Sequence, residues 1–340
     1  MKTRRRSPFR LALAMVIAAT AASAWADGPI VIKFSHVVTA DTPKGKAAAF
    51  FAKRAEELTK GQVKVEVYPN SQLYKDKEEL QALQLGSVQM LAPSLSKFAP
   101  LGVKEFEVFD LPFLFNDYAE LHRVTQGPVG KNLLSKLEAQ GITGLAYWDN
   151  GFKVFTANQA LKKPADFKGL RMRIQSSRVL MAEMQALGAE PQVLAFSETY
   201  QALQTRMLDG TENPPSNLYT QKMHEVQKHL TVSNHGYLGY ALVVNKKFWD
   251  GLPSKLRGLL TQAVEESTRV ANDQAFVANR DAMANVKAAG KTAIHTPSPE
   301  ELLALKKALL PVHEQMTGRV GQDTLKAIYQ ETGFKPLARP

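Results

Sequence analysis

The sequence predicts a two-lobed α/β fold from three observations. In the N-terminal third, short apolar runs typical of buried parallel strands alternate with segments whose apolar residues recur at helical spacing. The chain after residue 26 has about 314 residues, which exceeds the size at which a single core keeps growing. Residues 253–290 predict one helix of roughly 35 residues, about 50 Å long, which is too long for one small lobe and could brace two.

Residues 1–26 have the composition of a secretory signal peptide. Five of the 43 basic residues lie before residue 11, an apolar run follows over 11–22, and Ala24-Trp25-Ala26 fits the small-x-small cleavage rule. The apolar run is too short to anchor the chain in a bilayer. Because the sequence has no cysteine, it offers neither a lipid-anchor cysteine nor a disulfide. We expect export and cleavage after Ala26.

The net charge of +11 overstates the basicity of the exported chain. After residue 26, 38 basic residues stand against 32 acidic residues, which leaves +6 spread along the sequence. No basic run with interleaved aromatic residues follows residue 10, so no nucleic-acid partner is expected. No later apolar run approaches 18 residues, so no membrane span is predicted.

The first lobe is predicted from three strands, two of them buried, which are separated by two helices. The predicted elements are a strand over 30–34, a helix from Thr42-Pro43 to Gly61, a strand over 63–68, a helix over 76–85 and a strand over 88–92. Such doubly wound sheets bind ligands at the carboxyl ends of their strands, and Ser94 lies at one of these ends.

The rest of the chain predicts a second lobe, a return to the first, and a helical C-terminus. An aromatic run over 106–115 is interpreted as core or interlobe packing. The later elements are helices over 117–125 and 128–140, strands over 142–149 and 153–157 flanking a turn at Asn150-Gly151, a strand over 169–175, helices over 177–188 and 199–208, a strand over 237–245, the long helix, and helices from Ser298 to about Gln330. We expect lobe I over 27–150, lobe II over 151–238, a return strand and long helix of lobe I over 239–278, and lobe II with the C-terminal helices over 279–340.

The strand over 169–175, GLRMRIQ, carries the strongest indication of a site. Side chains alternate along a strand, so Arg171, Arg173 and Gln175 share one face, opposite an apolar face. Buried guanidinium groups are costly unless they are paired. One interpretation is a pair of structural salt bridges to Asp or Glu elsewhere in the chain. The other is a carboxylate ligand, because the planar guanidinium fork binds a carboxylate through two parallel hydrogen bonds.

Motifs of catalysis and metal binding are missing from the sequence. It contains no G-x-S-x-G, H-E-x-x-H, Walker or dinucleotide-binding motif. The seven histidines show no metal-ligand spacing, and His224 and His229 lie five residues apart, off one helical face. We therefore expect neither an enzyme nor a bound metal or cofactor.

Four motifs resemble one family of transport proteins. FSH over 34–36, GLRMR over 169–173, AFSE over 195–198 and DGTENP over 209–214 are similar, in this order and spacing, to the periplasmic substrate-binding subunit of TRAP transporters, the DctP type. The resemblance covers residues 30 to about 337. It implies a two-lobe periplasmic binding protein with hinge strands and a long bridging helix, which closes on an organic anion. It also implies a location in the periplasm and delivery of the ligand to integral membrane permease subunits.

The same resemblance assigns roles to individual residues. Arg173 matches the arginine that clamps the ligand carboxylate, Asn213 matches the asparagine that braces it, and Arg171 looks like a structural neighbour. Lys153 occupies the position of a second arginine in the sialic-acid binders of the family. Ser94 stands where those binders have an acid, so it removes a repulsion against a second substrate carboxylate.

Two segments look most like the C4-dicarboxylate branch, whose ligands are succinate, fumarate and malate. These segments are WDNGFK over 148–153 and NPPSN over 213–217. The resemblance implies further ligand contacts from Lys153, Ser94, Asn217, Tyr240 and Lys44, with Phe196 packed under the ligand. Arg173 and Lys153 would then be the two cationic poles for a dianion. The alternatives are a receptor for a keto, aromatic or sugar acid, a secreted enzyme, and a receptor that signals to a membrane sensor.

Overall fold

The computed structural model describes residues 28–335, so the predicted signal peptide lies outside the described residues. Eleven strands form within this range. In chain order they are β1 (Ile30–Ser35), β2 (Val63–Tyr68), β3 (Met90–Leu91), β4 (Ile142–Phe152), β5 (Val154–Ala157), β6 (Arg171–Ile174), β7 (Glu190–Val193), β8 (Gly210–Asn213), β9 (His229–Thr231), β10 (Tyr237–Asn245) and β11 (Ala293–His295).

Helices cover both sheets and form the C-terminus of the described chain. They are α1 (Pro43–Thr59), α2 (Glu79–Gln84), α3 (Tyr118–Gln126), α4 (Pro128–Lys136), α5 (Arg178–Ala186), α6 (Phe196–Gln204), α7 (Pro215–Thr220), α8 (Lys246–Gly251), α9 (Ser254–Ala289), α10 (Pro299–Leu309), α11 (Pro311–Val320) and α12 (Gln322–Thr332). Short 3₁₀ segments include Leu95–Leu101 and Lys104–Asp110. In the described part of the chain, no helix is both long enough and apolar enough to span a membrane.

The first sheet has the strand order β2-β1-β3-β10-β4. β1 is parallel to β2 and β3, whereas β10 is antiparallel to β3 and β4. Successive side chains of β10 enter opposite cores, since Ala241 and Val243 pack on one face of the sheet and Leu242 and Val244 on the other. Both faces of this sheet are therefore covered, as the predicted doubly wound lobe requires.

The second sheet has the strand order β11-β9-β5-β8-β6-β7. β6, which contains both arginines, is parallel to β8 and β7, and its Met172 and Ile174 are fully buried in the core with α5 and α10. Ser177 caps α5 as predicted, because its side chain accepts a hydrogen bond from the Leu180 amide. The α/β fold class predicted from the sequence is confirmed by these two mixed sheets.

Several predicted elements differ from those in the structure. β3 is shorter than the predicted strand over 88–92, and α2 begins at Glu79 rather than at residue 76. The predicted turn at Asn150-Gly151 is wrong, because β4 runs through both residues and Gly151 pairs with Leu238. The edge strands β7 and β11 and the interior strand β9 were not predicted, since they are short and lack a clear alternation of apolar residues.

The chain passes between the sheets at two adjacent strand connections. β4 leads into β5 through Lys153, and β9 leads into β10 through residues 232–236. The Lys153 amide donates a hydrogen bond to the Gly236 carbonyl at 2.8 Å, so the two connections lie side by side. This pair of strands forms the hinge region.

The 36-residue helix α9 bridges the two lobes beside the hinge. It packs on α1 and β4 of the first lobe and on α7 of the second. Asn279 of α9 donates to the Asn150 carbonyl of β4 at 2.6 Å and accepts from the Ser216 amide of α7 at 2.9 Å. One amide side chain thus connects the bridging helix to a hinge strand and to the second lobe.

The C-terminal helices contact both lobes. Leu305 and Leu309 of α10 enter the core of the second sheet. Val312 of α11 and Ile328 of α12 pack instead in the core of the first lobe, which also contains Phe106 and Phe109 of the aromatic run. The segment after residue 279 therefore does not belong to one lobe alone.

We predict that Asn279→Ala destabilises the protein by about 2 kcal/mol, because it leaves the Asn150 carbonyl and the Ser216 amide without their partner. Urea unfolding of the purified protein measures the change. Arg280→Ala, at an exposed neighbouring position, is the matched control and should shift stability by less than about 0.5 kcal/mol. Equal stability losses for the two variants would contradict a bridging role for Asn279.

Candidate functional site

A small cavity, with a volume of about 20 Å³ for the centres of water-sized molecules, lies between the two lobes. It is located where β3, β6 and β8 end, which is the edge of a sheet at which α/β proteins bind ligands. Its charged and polar side chains come from both lobes. The lining residues are Val37, Val38, Lys44, Asp76, Ser94, Lys97, Arg173, Gln175, Phe196, Asn213, Asn217, Leu238 and Tyr240.

Arg173 enters the cavity from β6 of the second lobe. Its side chain is 2% exposed, and its Nε donates to the Leu194 carbonyl at 3.0 Å. The two Nη groups are therefore the donors left for a ligand, and Nη2 lies 4.0 Å from a carboxylate oxygen of Asp76. The guanidinium carbon lies 5.8 Å from the ring centre of Phe196. Burial lowers the pKa of Arg173, although Asp76 opposes this shift.

Arg171, on the same face of the strand, has a different environment. Its Nε and Nη2 each bind one carboxylate oxygen of Asp209 at 2.9 Å, and Nη2 also binds the Arg206 carbonyl. The guanidinium fork is occupied by protein groups. The two interpretations of the strand therefore divide between its arginines: Arg171 forms a structural salt bridge, and Arg173 lines the cavity.

Lys44 supplies a cation from the first turn of α1 in the first lobe. It is 1% exposed, its Nζ donates to the Ala92 carbonyl at 2.9 Å, and it lies 3.7 Å from the ring centre of Tyr240. Burial lowers the pKa of Lys44 to about 7, while Glu79 opposes the shift and Lys97 adds to it. An anion in the cavity would favour the charged form of this lysine.

Lys97 lies with two acids on the first-lobe wall of the cavity. Its Nζ contacts Asp76 and lies 2.8 Å from Glu79. Burial opposes ionisation of Asp76, but Lys97 and Arg173 outweigh it and lower the pKa of Asp76 to about 2. Burial raises the pKa of Glu79. Lys97 is thus largely neutralised by the protein, whereas Lys44 and Arg173 have weaker counter-charges.

Neutral hydrogen-bonding groups lie between the cations. The Asn150 amide donates to the Asn217 side-chain oxygen at 2.9 Å and to the Tyr240 hydroxyl, and Asn217 donates to Asn213 at 3.4 Å. Within the described residues, the Nδ2 of Asn213 is buried without a hydrogen-bond partner. An unsatisfied buried donor costs free energy, so it is a position at which a ligand oxygen would be stabilised.

Ser94 and Gln175 connect the lobes across the cavity wall. The Ser94 hydroxyl donates to the side-chain oxygen of Gln175. Seven of the eight predicted site residues are brought together around the cavity: Arg173, Asn213, Ser94, Asn217, Tyr240, Lys44 and Phe196.

Lys153 is the predicted site residue that does not line the cavity. Its side chain is 1% exposed, and its Nζ lies 2.5 Å from a carboxylate oxygen of Glu212 in the core beneath the hinge. In this structure Lys153 therefore lies outside the cavity, which favours another residue as the second cationic pole. The reason is local: β5 continues directly from the hinge and pairs with β8, which directs Lys153 towards the acids of the second lobe.

Lys153 balances a cluster of buried acids that includes Glu212, Glu183 and Asp110. Burial opposes ionisation of Glu212, but Lys153 and a hydrogen bond from His235 outweigh it and lower the pKa of Glu212 to about 2. Burial raises the pKa of Asp110 to about 7 and raises that of Glu183 well above its usual value. Glu183, Glu212 and His235 lie within 4.8 Å of one another, but the cation beside them is Lys153.

Three polar residues of the site were not predicted as ligand contacts. Gln175 had a detectable signal, because strand alternation puts it on the same face as Arg173. Lys97 follows Ser94 by three residues. If the segment after the strand is helical, this spacing places the two side chains on one face, so Lys97 could have been predicted beside Ser94. Nothing in the sequence indicated that Asp76 is a site residue, because it was placed at the start of the predicted helix over 76–85. In the structure its carboxylate faces Arg173 and Lys97.

Two α/β lobes joined by crossing strands, with a cation-lined cavity between them, define the class of two-lobed solute-binding proteins. The family model of bacterial extracellular solute-binding proteins, family 7, the DctP family, matches residues 34–319. The chain belongs to this family, as its motifs predicted.

Known relatives are similar over most of the chain. The C4-dicarboxylate-binding periplasmic protein DctP of Rhodobacter capsulatus is 66% identical over 304 residues, which cover 89% of this chain and 91% of that protein. A TRAP periplasmic solute-binding protein of Sulfurospirillum deleyianum with bound succinate is 46% identical with a TM-score of 0.86, and the match covers 89% and 99% of the two chains. A TRAP protein of Pseudomonas aeruginosa with bound L-malate is 47% identical with a TM-score of 0.82, and the match covers 84% and 100%.

We predict that Lys153→Met destabilises the protein by about 3 kcal/mol, because it leaves Glu212 buried without its counter-charge. The double variant Lys153→Met/Glu212→Gln should recover at least half of the loss, since no uncompensated charge remains. Urea unfolding of the wild type, both single variants and the double variant gives the coupling free energy between Lys153 and Glu212. Additive losses would show that the two side chains do not form an ion pair.

Proposed function

We propose that the protein is a periplasmic receptor that binds a C4-dicarboxylate, such as succinate, fumarate or malate, and delivers it to a TRAP-type transporter. The observation that carries the proposal is a cavity with Arg173 from one lobe, Lys44 from the other, and neutral donors between them. The relatives named above, which bind or are named for C4-dicarboxylates, support the same ligand class.

A dicarboxylate matches two cations on opposite walls. Arg173 would hold one carboxylate through its Nη groups, and Lys44, rather than Lys153, would be the second pole. Each contact gains strength because closure removes water from the cavity. A ligand that touches both lobes stabilises the closed form by the difference between its affinities for the two forms.

Neutral groups would fix the ligand between the poles. The free Nδ2 of Asn213 would donate to the carboxylate held by Arg173, in line with the bracing role that the resemblance implies. Asn217, Ser94 and Tyr240 offer further hydrogen bonds, and the Phe196 ring would pack under the carbon chain. No step of this function requires a bound metal or a cofactor.

Receptor function also defines location and partners. The signal peptide predicted over residues 1–26 would deliver the protein to the periplasm, and integral membrane permease subunits would receive the ligand there. The protein would act by binding and release, without turnover of the ligand.

Titration calorimetry of residues 27–340 with succinate, L-malate, a keto acid, an aromatic acid and sialic acid tests the proposal. We expect C4-dicarboxylates to bind at least a hundredfold more tightly than monocarboxylates, because only the former engage both cations. Preferential binding of a monocarboxylate would support the alternative, a receptor for another organic acid, and would remove Lys44 as a pole.

We predict that Arg173→Ala abolishes succinate binding and that Arg173→Lys binds at least tenfold more weakly, because an ammonium cannot form the two parallel hydrogen bonds of the guanidinium. The control is Arg171→Lys, on the same strand but outside the cavity, which should bind succinate as the wild type does. Circular dichroism verifies that the variants are folded. Native affinity in Arg173→Lys would exclude the bidentate clamp.

We predict that succinate affinity falls as the pH rises above 7. The pKa of Lys44 is about 7 in the free protein, and a bound dianion raises it, so binding above pH 7 requires uptake of a proton. The decrease approaches tenfold per pH unit, whereas below pH 7 Lys44 is already charged and the affinity levels off. Of the charged groups around Lys44, Asp76 and Lys97 stay charged across this range because they pair with each other, and Glu79, whose own pKa is raised by burial, opposes the lowering of the Lys44 pKa.

Lys44→Gln should bind more weakly and lose this pH dependence. Lys46→Gln, at an exposed position of the same helix, should retain both affinity and slope. Calorimetry between pH 6.5 and 9 in buffers of different ionisation enthalpy measures the protons taken up. A slope that persists in Lys44→Gln would assign the proton to another group.

A further inference from the structure

Two consecutive residues of the first lobe contact the first turn of α6 in the second lobe. A carboxylate oxygen of Asp76 accepts a hydrogen bond from the Phe196 amide at 2.6 Å. The neighbouring Lys75 lies 2.9 Å from a carboxylate oxygen of Glu198. The Lys75–Glu198 pair is half-exposed and contributes little, so the contact of Asp76 is the stronger of the two.

Helix α6 has no capping side chain from its own lobe. Its N-cap residue is Ala195, whose carbonyl accepts from the Glu198 amide at 3.1 Å but whose side chain has no acceptor for the other first-turn amides. The first amides of a helix lack partners within the helix, and the N-terminus carries a partial positive charge. Asp76 supplies the missing acceptor and a negative charge, but from the other lobe. The cap therefore forms only when the lobes are together.

The same carboxylate also reaches the cations of the cavity. Asp76 contacts Lys97 of the first lobe, and the Arg173 guanidinium of the second lobe lies 4.0 Å away. The pair with Lys97 and the nearby Arg173 lower the pKa of Asp76 to about 2, so this acid is ionised at physiological pH. Phe196, whose amide is capped, is also the residue whose ring lies beside Arg173.

We propose that Asp76 is a positioning residue that couples closure of the lobes to ligand capture, by capping α6 of the second lobe from the first. The proposal rests on the proposed function and explains how that same site closes. Asp76 gives the closed form a contact that the open form lacks, and it holds Phe196 beside Arg173 in that form.

The cap changes the measured affinity through the closed population. A receptor that is closed for only a fraction of the time binds its ligand more weakly by that fraction. A charge-assisted helix cap is expected to shift the open–closed equilibrium by about tenfold. Removal of a negative charge beside Arg173 would, by itself, strengthen the binding of an anion. A loss of affinity on removal of Asp76 therefore separates the cap from simple electrostatics.

Three variants test the proposal. Asp76→Ala removes both the charge and the acceptor, while Asp76→Asn removes the charge but retains an oxygen that can cap the helix. Asp117→Ala is the matched control, because Asp117 caps α3 within the first lobe, through a 2.8 Å hydrogen bond from the Glu120 amide. It should lower the melting temperature without a change in closure.

Closure is measured as a distance between the lobes. The chain contains no cysteine, so cysteines introduced at the exposed positions Lys53 and Gln185 can be labelled for energy transfer without background. Distances are recorded without ligand and across a succinate titration, and calorimetry gives the affinity of the unlabelled variants.

For Asp76→Ala we expect about a tenfold smaller closed-to-open ratio and a corresponding loss of succinate affinity, with most of both effects restored in Asp76→Asn. Three results would overturn the proposal. They are an unchanged distance in Asp76→Ala, equal effects of Ala and Asn, and a loss of closure in Asp117→Ala as large as that in Asp76→Ala.

The distance in the absence of ligand separates this proposal from the proposed function. If no C4-dicarboxylate binds the wild type, the ligand assignment fails while the closure data still test Asp76. If succinate binds and Asp76→Ala closes normally, the ligand assignment stands and the proposed role of Asp76 in closure is wrong.

Discussion

Burial of positive charge between two lobes is the constraint on which the rest of the structure depends. Lys44, Lys97 and Arg173 are held in a cavity where each would be costly without a counter-charge. The protein supplies a close partner to Lys97, through Asp76 and Glu79, and leaves Lys44 and Arg173 less compensated. A dianion would complete the balance. Because the cations are on different lobes, that balance requires the lobes to be together, which makes closure and recognition one event.

The hinge strands lie above a second set of buried charges. Lys153, between the two crossing strands, pairs with Glu212, and Glu212 is followed directly by the cavity residue Asn213. Asn279 of the bridging helix binds the hinge strand from the other side. The site thus rests on the Lys153–Glu212 ion pair and on the Asn279 contacts, which do not use the charges of the cavity.

The parts of this architecture that local chemistry determines were predictable. The bridging helix was expected over 253–290 and spans Ser254–Ala289, and Thr42, Ser177 and Ser298 cap their helices as serine and threonine do elsewhere. Arg173 was predictable from strand alternation together with the family motifs. Lys153 was not, because the direction of a side chain at a strand crossing depends on which partner strand the next residues join. Asp76 acts across the two lobes, over a separation of 120 residues to Phe196, and no local pattern encodes such a contact.

The position of β10 has a consequence for how the chain folds. β10 lies between β3 and β4 in the first sheet, although it begins 146 residues after the end of β3 and 85 residues after the end of β4. Until residues 237–245 have been synthesised, no strand joins β1, β2 and β3 to β4 in one sheet. The first sheet therefore cannot be completed before residues 237–245 are synthesised, and such non-local pairing slows folding. A sheet that is completed late in synthesis is compatible with export in an extended form, which the signal peptide predicted over residues 1–26 would require.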